Sequence, residues 1–228
     1  MNNLGDVSLV IATYNEEESI QYVLDELKNY NLGEIIIVDG CWTDKTKHIV
    51  ESNGLKFITQ TRHGWGAAVK EGINNTSKEI VCYMDGDGSY NPNSLLEMRS
   101  YLNEYDVALG SRYKDGAKSP DDTFIRAIGN KIFTYLVVFL FGCKITDALF
   151  FYPMFRKSIL EKIELESDDF TLCLEFPVLV HRNNFKYIEL KSIEREHHAG
   201  VTKVNALFDG LKILYGTLKI KKRLWNYI

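Results

Sequence analysis

The sequence has few cysteines and no cysteine motif. Its four cysteines, Cys41, Cys82, Cys143 and Cys173, are scattered over 228 residues, and none belongs to a C-x-x-C pair. Zinc sites and the disulfide frameworks of small secreted domains both require closely patterned cysteines. We therefore expect reduced thiols in a cytosolic protein.

Long apolar runs and an excess of positive charge are also absent. The longest strongly apolar run, Ile132–Gly142, is shorter than the roughly 20 residues that span a bilayer, so no transmembrane helix is predicted. The start of the chain lacks the basic segment and the long apolar segment of a signal peptide. The formal net charge of -4 argues against a protein dedicated to nucleic-acid binding. We find no internal repeat or low-complexity tract.

The first half of the chain alternates short apolar runs with segments of helical periodicity. Predicted strands are Val7–Ala12, Glu34–Asp39, Leu55–Thr59, Glu79–Met84 and Asp106–Leu109. Predicted helices are Glu16–Tyr30, Thr43–Asn53, Gly66–Asn74 and Pro92–Leu102, and a further apolar helix is expected near Arg126–Phe141 after the polar loop Lys114–Asp122. This alternation predicts an α/β fold with a mostly parallel sheet covered by helices on both faces.

Polar residues follow three of the predicted strands. The first strand leads into the cluster Thr13–Glu16, the second ends at Asp39, and the fourth runs into Asp85 and Asp87. In parallel sheets, ligands bind beyond the carboxyl ends of the strands. The sequence therefore predicts a site at one sheet edge that contains at least four carboxylates.

Asp85 and Asp87 lie one residue apart in the segment Asp-Gly-Asp-Gly. Like charges at this distance raise the pKa of one carboxyl group or recruit a cation. Oxygen ligands without a nearby cysteine or histidine favour Mg²⁺ or Mn²⁺ over zinc, and Gly86 and Gly88 let a bulky ligand approach. The alternative is an Asp-Gly turn. An EF-hand is disfavoured, because the later ligand positions and the closing glutamate are missing.

Further blocks occur in order over roughly residues 5–205: VSLVIATYNEEESI, IIIVDGCWTDKT, RHGWGAAVKEGI, YMDGDGSYNP, GSRY, FIRAIGNKIF, TDALFFYPMFR and HHAGVTK. With this ordered set the chain resembles the family-2 glycosyltransferases, and within them the dolichyl-phosphate mannose and glucose synthases. The resemblance implies the nucleotide-diphospho-sugar transferase (GT-A, Rossmann-like) fold with C-terminal amphipathic helices. It divides the chain into a catalytic domain, 1–203, with donor half 1–110 and acceptor half 111–203, and a basic amphipathic helix, 204–228.

The resemblance assigns the nucleotide of a sugar donor to residues at the first two strand ends. Thr13, Tyr14 and Glu16 would contact the base and ribose, and Asp39 the base or ribose. Glu16 is otherwise an acid that complements a helix dipole, and Asp39 a turn residue. The family often has Asp-Asp-Gly-Ser where this chain has Asp39 followed by Gly-Cys-Trp, so the preference for base or donor is open.

The metal and the acceptor are implied in the same way. Asp85 and Asp87 would hold Mg²⁺ or Mn²⁺, with Asp87 as the more reliable ligand and Asp85 nearer the sugar, while Ser89 replaces a glutamine of the mannose synthases. Arg112 and Arg126 match positions that hold the phosphate of a lipid acceptor, with a surface salt bridge as the alternative for Arg126. Guanidinium groups suit that task, since they recognise phosphate oxygens well.

The segment HHAGVTK would reach the donor diphosphate through Lys203 and His197. The family commonly has arginine at the position of His197, whose charge depends on pH near its usual pKa of about 6.5. His198 is interpreted as a loop histidine. Glu175 is either a site acid or half of a structural ion pair.

Three other residues are given structural interpretations. Asp44 is interpreted as an N-terminal cap or turn residue rather than a catalyst. Gly64 and Gly66 are expected to permit close backbone approach, with no phosphate assigned to them.

Two segments are candidates for membrane contact. Ile132–Gly142 is apolar on nearly all sides, and Leu211–Arg223 carries five basic residues and no acid. Each Lys or Arg near an anionic membrane contributes about 1 kcal/mol. The alternative is a C-terminal helix that packs on the sheet. We expect a peripheral protein at the cytoplasmic face of a membrane.

The predicted function is metal-dependent, inverting transfer of a hexose from a GDP- or UDP-sugar to a polyprenyl phosphate, which the resemblance implies to be of the dolichyl type. A family-2 enzyme that acts on a glycan hydroxyl is the main alternative, with Glu175 or His197 as its base. A nucleotidyltransferase is disfavoured, because the glycine-rich basic signature near the first strand is missing. A non-catalytic nucleotide-binding module, an accessory membrane subunit and homo-oligomerisation stay open.

Overall fold

The computed structural model describes residues 2–40, 43–117, 119–120, 124–199 and 206–225. Its strands are β1 (Asn2–Thr13), β2 (Tyr30–Asp39), β3 (Lys56–Thr59), β4 (Ile80–Asp85), β5 (Val107–Ser111), β6 (Pro153–Arg156) and β7 (Tyr187–Lys191). Its α-helices are α1 (Ile20–Leu27), α2 (Thr46–Ser52), α3 (Trp65–Asn74), α4 (Ser94–Tyr101), α5 (Phe124–Phe141), α6 (Leu172–Arg182) and α7 (Ala206–Trp225). Short 3₁₀ turns occupy Lys114–Gly116 and Lys157–Glu161.

The described strands form one sheet of seven in the order β3-β2-β1-β4-β6-β5-β7. Neighbouring strands from β3 to β4 are parallel, and β5 is parallel to β7. β6 lies between β4 and β5 and runs antiparallel to both. The carboxyl ends of the other strands therefore meet at one edge, which is also the edge where β6 begins.

Alternating side chains of each strand enter two apolar cores, one on each face of the sheet. In β1, Val10 and Ala12 face a core shared with α3, α5, α6 and α7. Leu9 and Ile11 face a second core shared with α1, α2 and α4. Both faces of the parallel part are thus covered, as the continuous apolar runs of the sequence predict.

The sequence-based prediction of an α/β fold with a mostly parallel sheet is confirmed. The five predicted strands form, with bounds that differ by up to five residues, while β6 and β7 were not predicted. α1 begins at Ile20 rather than Glu16, and a turn precedes it in which the Glu16 carbonyl accepts hydrogen bonds from the amides of Ser19 and Ile20. Cys82, Cys143 and Cys173 are free and buried, as expected, whereas Cys41 lies outside the described residues.

The C-terminal helix α7 packs against α5 and α6. Ile213 and Ile220 of α7 are buried in the core beneath α5. Arg223 forms ion pairs with Glu166 and Glu175, each at 2.7 Å. In the part of the chain described here, no helix has both the length and the apolar character that a membrane span requires.

Replacement of a core phenylalanine tests this packing. Phe155 of β6 is fully buried against Phe176, with ring centroids 4.9 Å apart. Phe155→Ala should lower the free energy of unfolding by about 3–5 kcal/mol, because a large cavity replaces the ring. Phe139 on α5 is 86% exposed, so Phe139→Ala should change the same quantity by less than about 0.5 kcal/mol. Denaturant titration measures both, and equal losses would contradict the assigned core.

Candidate active site

The sheet register brings the predicted strand-end residues to one level. Thr13 of β1 lies opposite Asp39 of β2, and Ala12 lies opposite Asp85 of β4. The buried Thr13 hydroxyl donates a 2.6 Å hydrogen bond to the Asp39 carboxylate. Asp39 and Asp85 thus occupy the strands on either side of β1, at the edge where the sequence predicts the site.

Asp85 is held by two aromatic donors. The indole N–H of Trp65 donates to its Oδ1, and the Tyr90 hydroxyl lies 3.5 Å from its Oδ2. Burial and then the negative charge of Asp87 raise the pKa of Asp85 to about 8, although the Trp65 hydrogen bond acts in the opposite direction. At neutral pH this pair therefore favours a shared proton or a bound cation over two bare charges.

Trp65 was not assigned a role from the sequence. It begins α3 and packs on Phe151 at 4.5 Å and on Phe170 at 5.8 Å between ring centroids. The signal that could have identified it is a tryptophan between two glycines, directly before a helix. Its packing fixes the direction of the indole N–H toward Asp85.

Gly64 and Gly66 beside Trp65 permit the close approach that the sequence predicts. Gly64 has φ +113°, and an added Cβ would lie 2.2 Å from the carbonyl oxygen of Asp168. At Gly66 the added Cβ would lie 2.7 Å from carbonyl oxygens of Ser167 and Asp169. The loop at 166–169 therefore rests against the start of α3.

Asp87 is oriented by local backbone groups. Its Oδ1 accepts from the Ser89 amide at 2.9 Å, and its carbonyl accepts from the His198 amide at 2.9 Å. The Nδ1 of His197 lies 3.5 Å from Oδ2 of Asp87. The structure thus brings His197 next to the second aspartate of the Asp-Gly-Asp-Gly corner, which spans residues 85–88.

The donor chemistry of this corner fits a hard divalent cation. Asp85 and Asp87 offer carboxylate oxygens that retain acceptor capacity beyond their present hydrogen bonds. Among the residues that the structure describes, no group of three or more His, Cys, Asp or Glu side chains is arranged as a metal centre. Mg²⁺ sites in proteins often combine one or two carboxylates with substrate phosphates, and the two acids of the corner suit that pattern.

The turn after β1 forms the neighbouring wall. Tyr14 is 54% exposed, and Asn15 has φ 56°, in the left-handed region that asparagine tolerates. The Glu16 amide donates to the Thr46 hydroxyl at 3.2 Å. Asp44 accepts from the amides of Thr46 and Glu17, each at 3.0 Å, so its predicted role as a turn residue is confirmed.

Arg112, directly after β5, is buried and already paired with carboxylates. Its Nε and Nη2 donate to Asp147 at 2.8 and 3.0 Å, and its Nη1 lies 3.5 Å from Glu194. Its guanidinium lies over the Phe150 ring at 5.1 Å. Burial lowers the pKa of Arg112, but the charge and hydrogen bonds of Asp147 together with the charge of Glu194 outweigh it and raise this pKa well above its usual value. Asp147, Glu194 and Phe150 were not predicted from the sequence.

Asp147 is itself held in place by β7. Glu189 accepts from the amides of Thr146 at 2.8 Å and Asp147 at 3.2 Å. The amide of Arg112 donates to the Asp147 carboxylate at 3.0 Å. The Arg112 pair is therefore a fixed part of the sheet edge.

Arg126 lies half-buried in the first turn of α5. Asn130, one turn later on the same helix, is buried and donates through Nδ2 to the Tyr113 hydroxyl at 2.9 Å. Since residues four apart share a helix face, Arg126 lies on the side of α5 that meets the residue next to Arg112.

Glu175 is a structural residue. Its fully buried carboxylate accepts from the amides of Glu166 at 3.1 Å and Ser167 at 2.8 Å, and from Arg223 at 2.7 Å. Of the two interpretations left open, these contacts favour the ion pair. His198 stacks on Tyr22 with centroids 4.0 Å apart. Lys203 and Trp42 lie outside the described residues.

The acids and Arg112 meet through an aromatic pair. Tyr90, whose hydroxyl approaches Asp85, stacks on Phe150 with ring centroids 5.2 Å apart, and Phe150 lies under Arg112. Burial raises the pKa of Tyr90, the charges of Asp85 and Asp87 add to the shift, and Arg112 opposes it. The carboxylates of the Asp-Gly-Asp-Gly corner and the guanidinium of Arg112 thus both influence the electrostatic environment of Tyr90.

The sequence profile of Glycosyl transferase family 2 matches residues 8–164. The chain belongs to this family. This glycosyltransferase is 29% identical over 182 residues to Glycosyltransferase AglJ of Haloferax volcanii, a match that covers 79% of this chain and 60% of AglJ. The glycosyltransferase thus spans less than two thirds of the length of that relative.

Two further relatives have names that include their lipid acceptor. The glycosyltransferase is 28% identical over 218 residues to the dolichyl-phosphate hexose transferase of Haloferax volcanii, covering 94% of this chain and 93% of that protein. It is 26% identical over 226 residues to the dolichol-phosphate mannosyltransferase of Pyrococcus furiosus, covering 93% of this chain and 64% of that protein. The predicted resemblance to this group is confirmed.

Solved structures show the same fold. Glucosyl-3-phosphoglycerate synthase from Mycobacterium tuberculosis, crystallised with Mn²⁺, UDP and phosphoglyceric acid, matches with a TM-score of 0.75 and 17% identity. The match covers 94% of this chain and 78% of that one. A complex of the same synthase with Mg²⁺ and UDP gives a TM-score of 0.76 at 15% identity, covering 95% and 79%. The predicted GT-A fold is confirmed.

The buried pair of Arg112 and Asp147 provides a stability test. Asp147→Asn should lower the free energy of unfolding by about 3 kcal/mol, because it leaves a buried guanidinium without its main counter-charge. The control is Asp6→Asn, which breaks the more exposed 2.6 Å pair with Arg99 and should cost less than about 1 kcal/mol. Chemical denaturation compares the two variants. Equal, small losses would show that the Arg112 pair does not stabilise the sheet edge.

Proposed function

We propose that this glycosyltransferase transfers a hexose, with a divalent cation, from a GDP- or UDP-sugar to a polyprenyl phosphate of the dolichyl type. The main support is the common neighbourhood of the Asp-Gly-Asp-Gly corner and Arg112 across the Tyr90–Phe150 stack. Two relatives named for dolichyl or dolichol phosphate agree with this acceptor. Structures of the same fold that contain UDP with Mn²⁺ or Mg²⁺ agree with a nucleotide-sugar donor.

The donor half, 1–110, would bind the nucleotide sugar. Two of the proposed donor-binding residues, Thr13 and Asp39, end β1 and β2, and the other two, Tyr14 and Glu16, follow in the turn after β1. There they would bind the base and ribose. Asp85 and Asp87 would hold Mg²⁺ or Mn²⁺, which when bound stabilises negative charge on the diphosphate. Lys203 and His197 would contact the diphosphate from the end of the acceptor half.

The acceptor half, 111–203, would present the nucleophile. An oxygen of the lipid phosphate forms a bond to the anomeric carbon while the bond from that carbon to the diphosphate oxygen breaks. The nucleoside diphosphate leaves with the bonding electrons, and attack from the opposite side inverts the anomeric carbon. A phosphomonoester has its second pKa near about 6, so this nucleophile is already anionic and needs no base.

Arg112 and Arg126 would hold that phosphate in line with the donor. In the structure Nη1 of Arg112 faces Glu194 at a long 3.5 Å, whereas Nε and Nη2 are committed to Asp147. The Nη1 edge is therefore the part of Arg112 that a phosphate oxygen would take over from Glu194. Guanidinium hydrogen bonds to phosphate are strong because both partners are charged.

A glycan hydroxyl acceptor is supported less well by the contacts. A hydroxyl nucleophile needs a general base, and Glu175 was one of the two residues considered. Glu175 is fully buried and holds two loop amides and Arg223. That leaves His197 for this role.

An activity assay tests the proposal. Purified protein with Mg²⁺ or Mn²⁺ should convert a nucleotide sugar and a polyprenyl phosphate into a lipid-linked hexose and a nucleoside diphosphate. A donor panel of GDP-mannose, UDP-glucose, UDP-N-acetylglucosamine and UDP-glucuronate identifies the sugar and the base. Chelation of the metal should abolish turnover. Asp87→Asn should reduce kcat by roughly 100-fold, the equivalent of about 3 kcal/mol of lost stabilisation.

The matched control is Asp25→Asn on α1, whose carboxylate pairs with Lys28 on the protein surface. This variant should keep wild-type turnover. Transfer to a sugar hydroxyl but never to a phosphate would overturn the acceptor. Unchanged turnover of Asp87→Asn would overturn the metal mechanism.

We also propose that the protein contacts a membrane peripherally through α5 and α7. Four exposed apolar residues follow one face of α5, at spacings of four, three and four: Ile128, Ile132, Tyr135 and Phe139. The helix α7, which packs on α5, exposes Leu211, Leu214, Tyr215, Leu218 and Trp225. Such a surface suits an interface between headgroups and acyl chains.

The position of α7 also connects this surface to the active site. Tyr215 and Lys219 line a cavity of about 320 Å³ whose opposite wall includes Asp169 and His63. The carbonyl of Asp169 abuts Gly66, next to Trp65. Across this cavity, α7 therefore faces the side of the site that Trp65 occupies.

Binding to vesicles tests the membrane proposal separately from catalysis. The protein should float with vesicles of phosphatidylcholine and phosphatidylserine that contain no polyprenyl phosphate. Lys221→Glu with Lys222→Glu should weaken binding by more than about tenfold, since each basic residue contributes about 1 kcal/mol. The control is Lys45→Glu with Lys47→Glu, near α2 on the opposite face of the sheet. Equal binding of both double variants and the wild type would contradict this surface.

A further inference from the structure

A short segment after β7 crosses the Asp-Gly-Asp-Gly corner. We name residues 192–198 the strap. Its backbone amides donate to the carbonyls of three separate residues: Ser192 to Ser111 at 2.9 Å, Arg195 to Ser89 at 2.7 Å, and His198 to Asp87 at 2.9 Å. The strap thus connects the end of β5 with the loop after β4.

Arg195 supplies most of the side-chain contacts of the strap. Its Nη2 donates to the carbonyl of Gly88 at 3.0 Å and to that of Tyr90 at 2.7 Å. With its backbone amide on Ser89, this single residue satisfies three consecutive carbonyls of the loop that carries Asp87. Ser89 and Tyr90 are both buried, so carbonyls left without donors there would each cost about 1–3 kcal/mol.

Glu26 of α1 fixes the guanidinium from the other side. Its carboxylate oxygens accept from Nη1 and Nη2 of Arg195 at 2.8 and 2.7 Å, and Tyr22 lies 3.3 Å from Nη1. The hydrogen bond from Arg195 is the main cause that lowers the pKa of Glu26. Arg195 is therefore clamped between α1 and the loop.

The backbone conformation at Gly88 brings the loop of residues 87–90 into close contact with the strap. Gly88 has φ +83°, and a Cβ added there would lie 2.9 Å from Cβ of His198. The strap therefore lies directly against the turn that separates Asp87 from Ser89. Movement of the strap would displace the Asp87 carboxylate, since Asp87 takes hydrogen bonds from both sides of that turn.

We propose that Arg195 is a positioning residue, which holds the carboxylates of Asp85 and Asp87 in the geometry that binds a divalent cation together with the nucleoside diphosphate. The proposal rests on the metal-dependent function proposed above. The neighbouring Glu194 faces Arg112, so consecutive residues of the strap contact the metal side and the phosphate side of the site. Displacement of Glu194 from Arg112 would thus move the strap, which also supports the Asp-Gly-Asp-Gly corner.

Direct binding of Mn²⁺ provides the test, without reliance on turnover. Titration of Mn²⁺ in the presence of UDP or GDP, followed by electron paramagnetic resonance, measures the affinity of wild type and variants. Arg195→Gln should weaken Mn²⁺ binding by about 10–100-fold, the range for loss of a group that orients metal ligands. Arg195→Lys should retain an intermediate affinity, because an ammonium group can reach some but not all of the same acceptors.

Arg99→Gln is the matched control. Two guanidinium nitrogens of Arg99, Nε and Nη2, also donate to a carboxylate, that of Asp6, at 2.9 and 2.6 Å, but Arg99 belongs to α4 rather than to the strap. This variant should bind Mn²⁺ as the wild type does. Hydrogen exchange should show faster exchange of the amides of residues 87–90 in Arg195→Gln, with circular dichroism unchanged.

The outcomes separate this proposal from the function on which it rests. Wild-type protein that binds no Mn²⁺ with either nucleotide would overturn both. Wild-type binding that Arg195→Gln and Arg195→Lys leave unchanged would overturn only the role of Arg195. If Arg195→Gln fails to fold, Glu26→Gln takes its place, because it loosens the guanidinium and keeps its charge. Unchanged Mn²⁺ affinity in that variant and in Arg195→Lys would overturn the role equally.

Discussion

Mutual repulsion between Asp85 and Asp87 is the constraint on which the site depends. The two carboxylates lie one residue apart where β4 ends, and Asp39 lies two strands away at the same level. Such a group of acids is stable only where each carboxylate has donors around it or a cation between its members. Trp65 and Ser89 donate to these carboxylates, and the His198 amide of the strap donates to the backbone carbonyl of Asp87, so separate parts of the chain hold this corner of the sheet edge.

The need for a compensating charge also explains the other buried charged residues near this edge of the sheet. Arg112 would be costly to bury alone, and it is surrounded by Asp147, Glu194 and the ring of Phe150. Glu175 is equally buried, and Arg223 of α7 brings the compensating charge. Two ion pairs with fully buried carboxylates therefore connect elements that the sequence places far apart. One connects the end of β5 with the 144–152 segment, and the other connects α6 with the C-terminal helix.

The sequence alone identified those site residues that are marked by a pattern in their immediate neighbours along the chain. Asp39, Asp85 and Asp87 follow apolar runs directly, so a parallel sheet must collect them at one edge. Trp65, Asp147 and Arg195 were not found, because each acts through a partner 20 to 107 positions away in the chain. A residue whose importance depends on such a distant contact leaves no periodic pattern. β6 escaped prediction for a related reason, since four residues between two stronger strands rely on their neighbours for order.

The antiparallel direction of β6 changes what a strand can contribute to a binding cleft. The parallel strands place their last residues at this edge, whereas β6 places its first residues there. The residues that lead into β6, from Asp147 to Tyr152, therefore lie at the same edge of the sheet. That short entry segment is separate from the strands that carry Thr13 and Asp39. Changes within it can therefore reshape the surroundings of Arg112, where we propose that the second substrate binds, while the register between β1 and β2 stays intact.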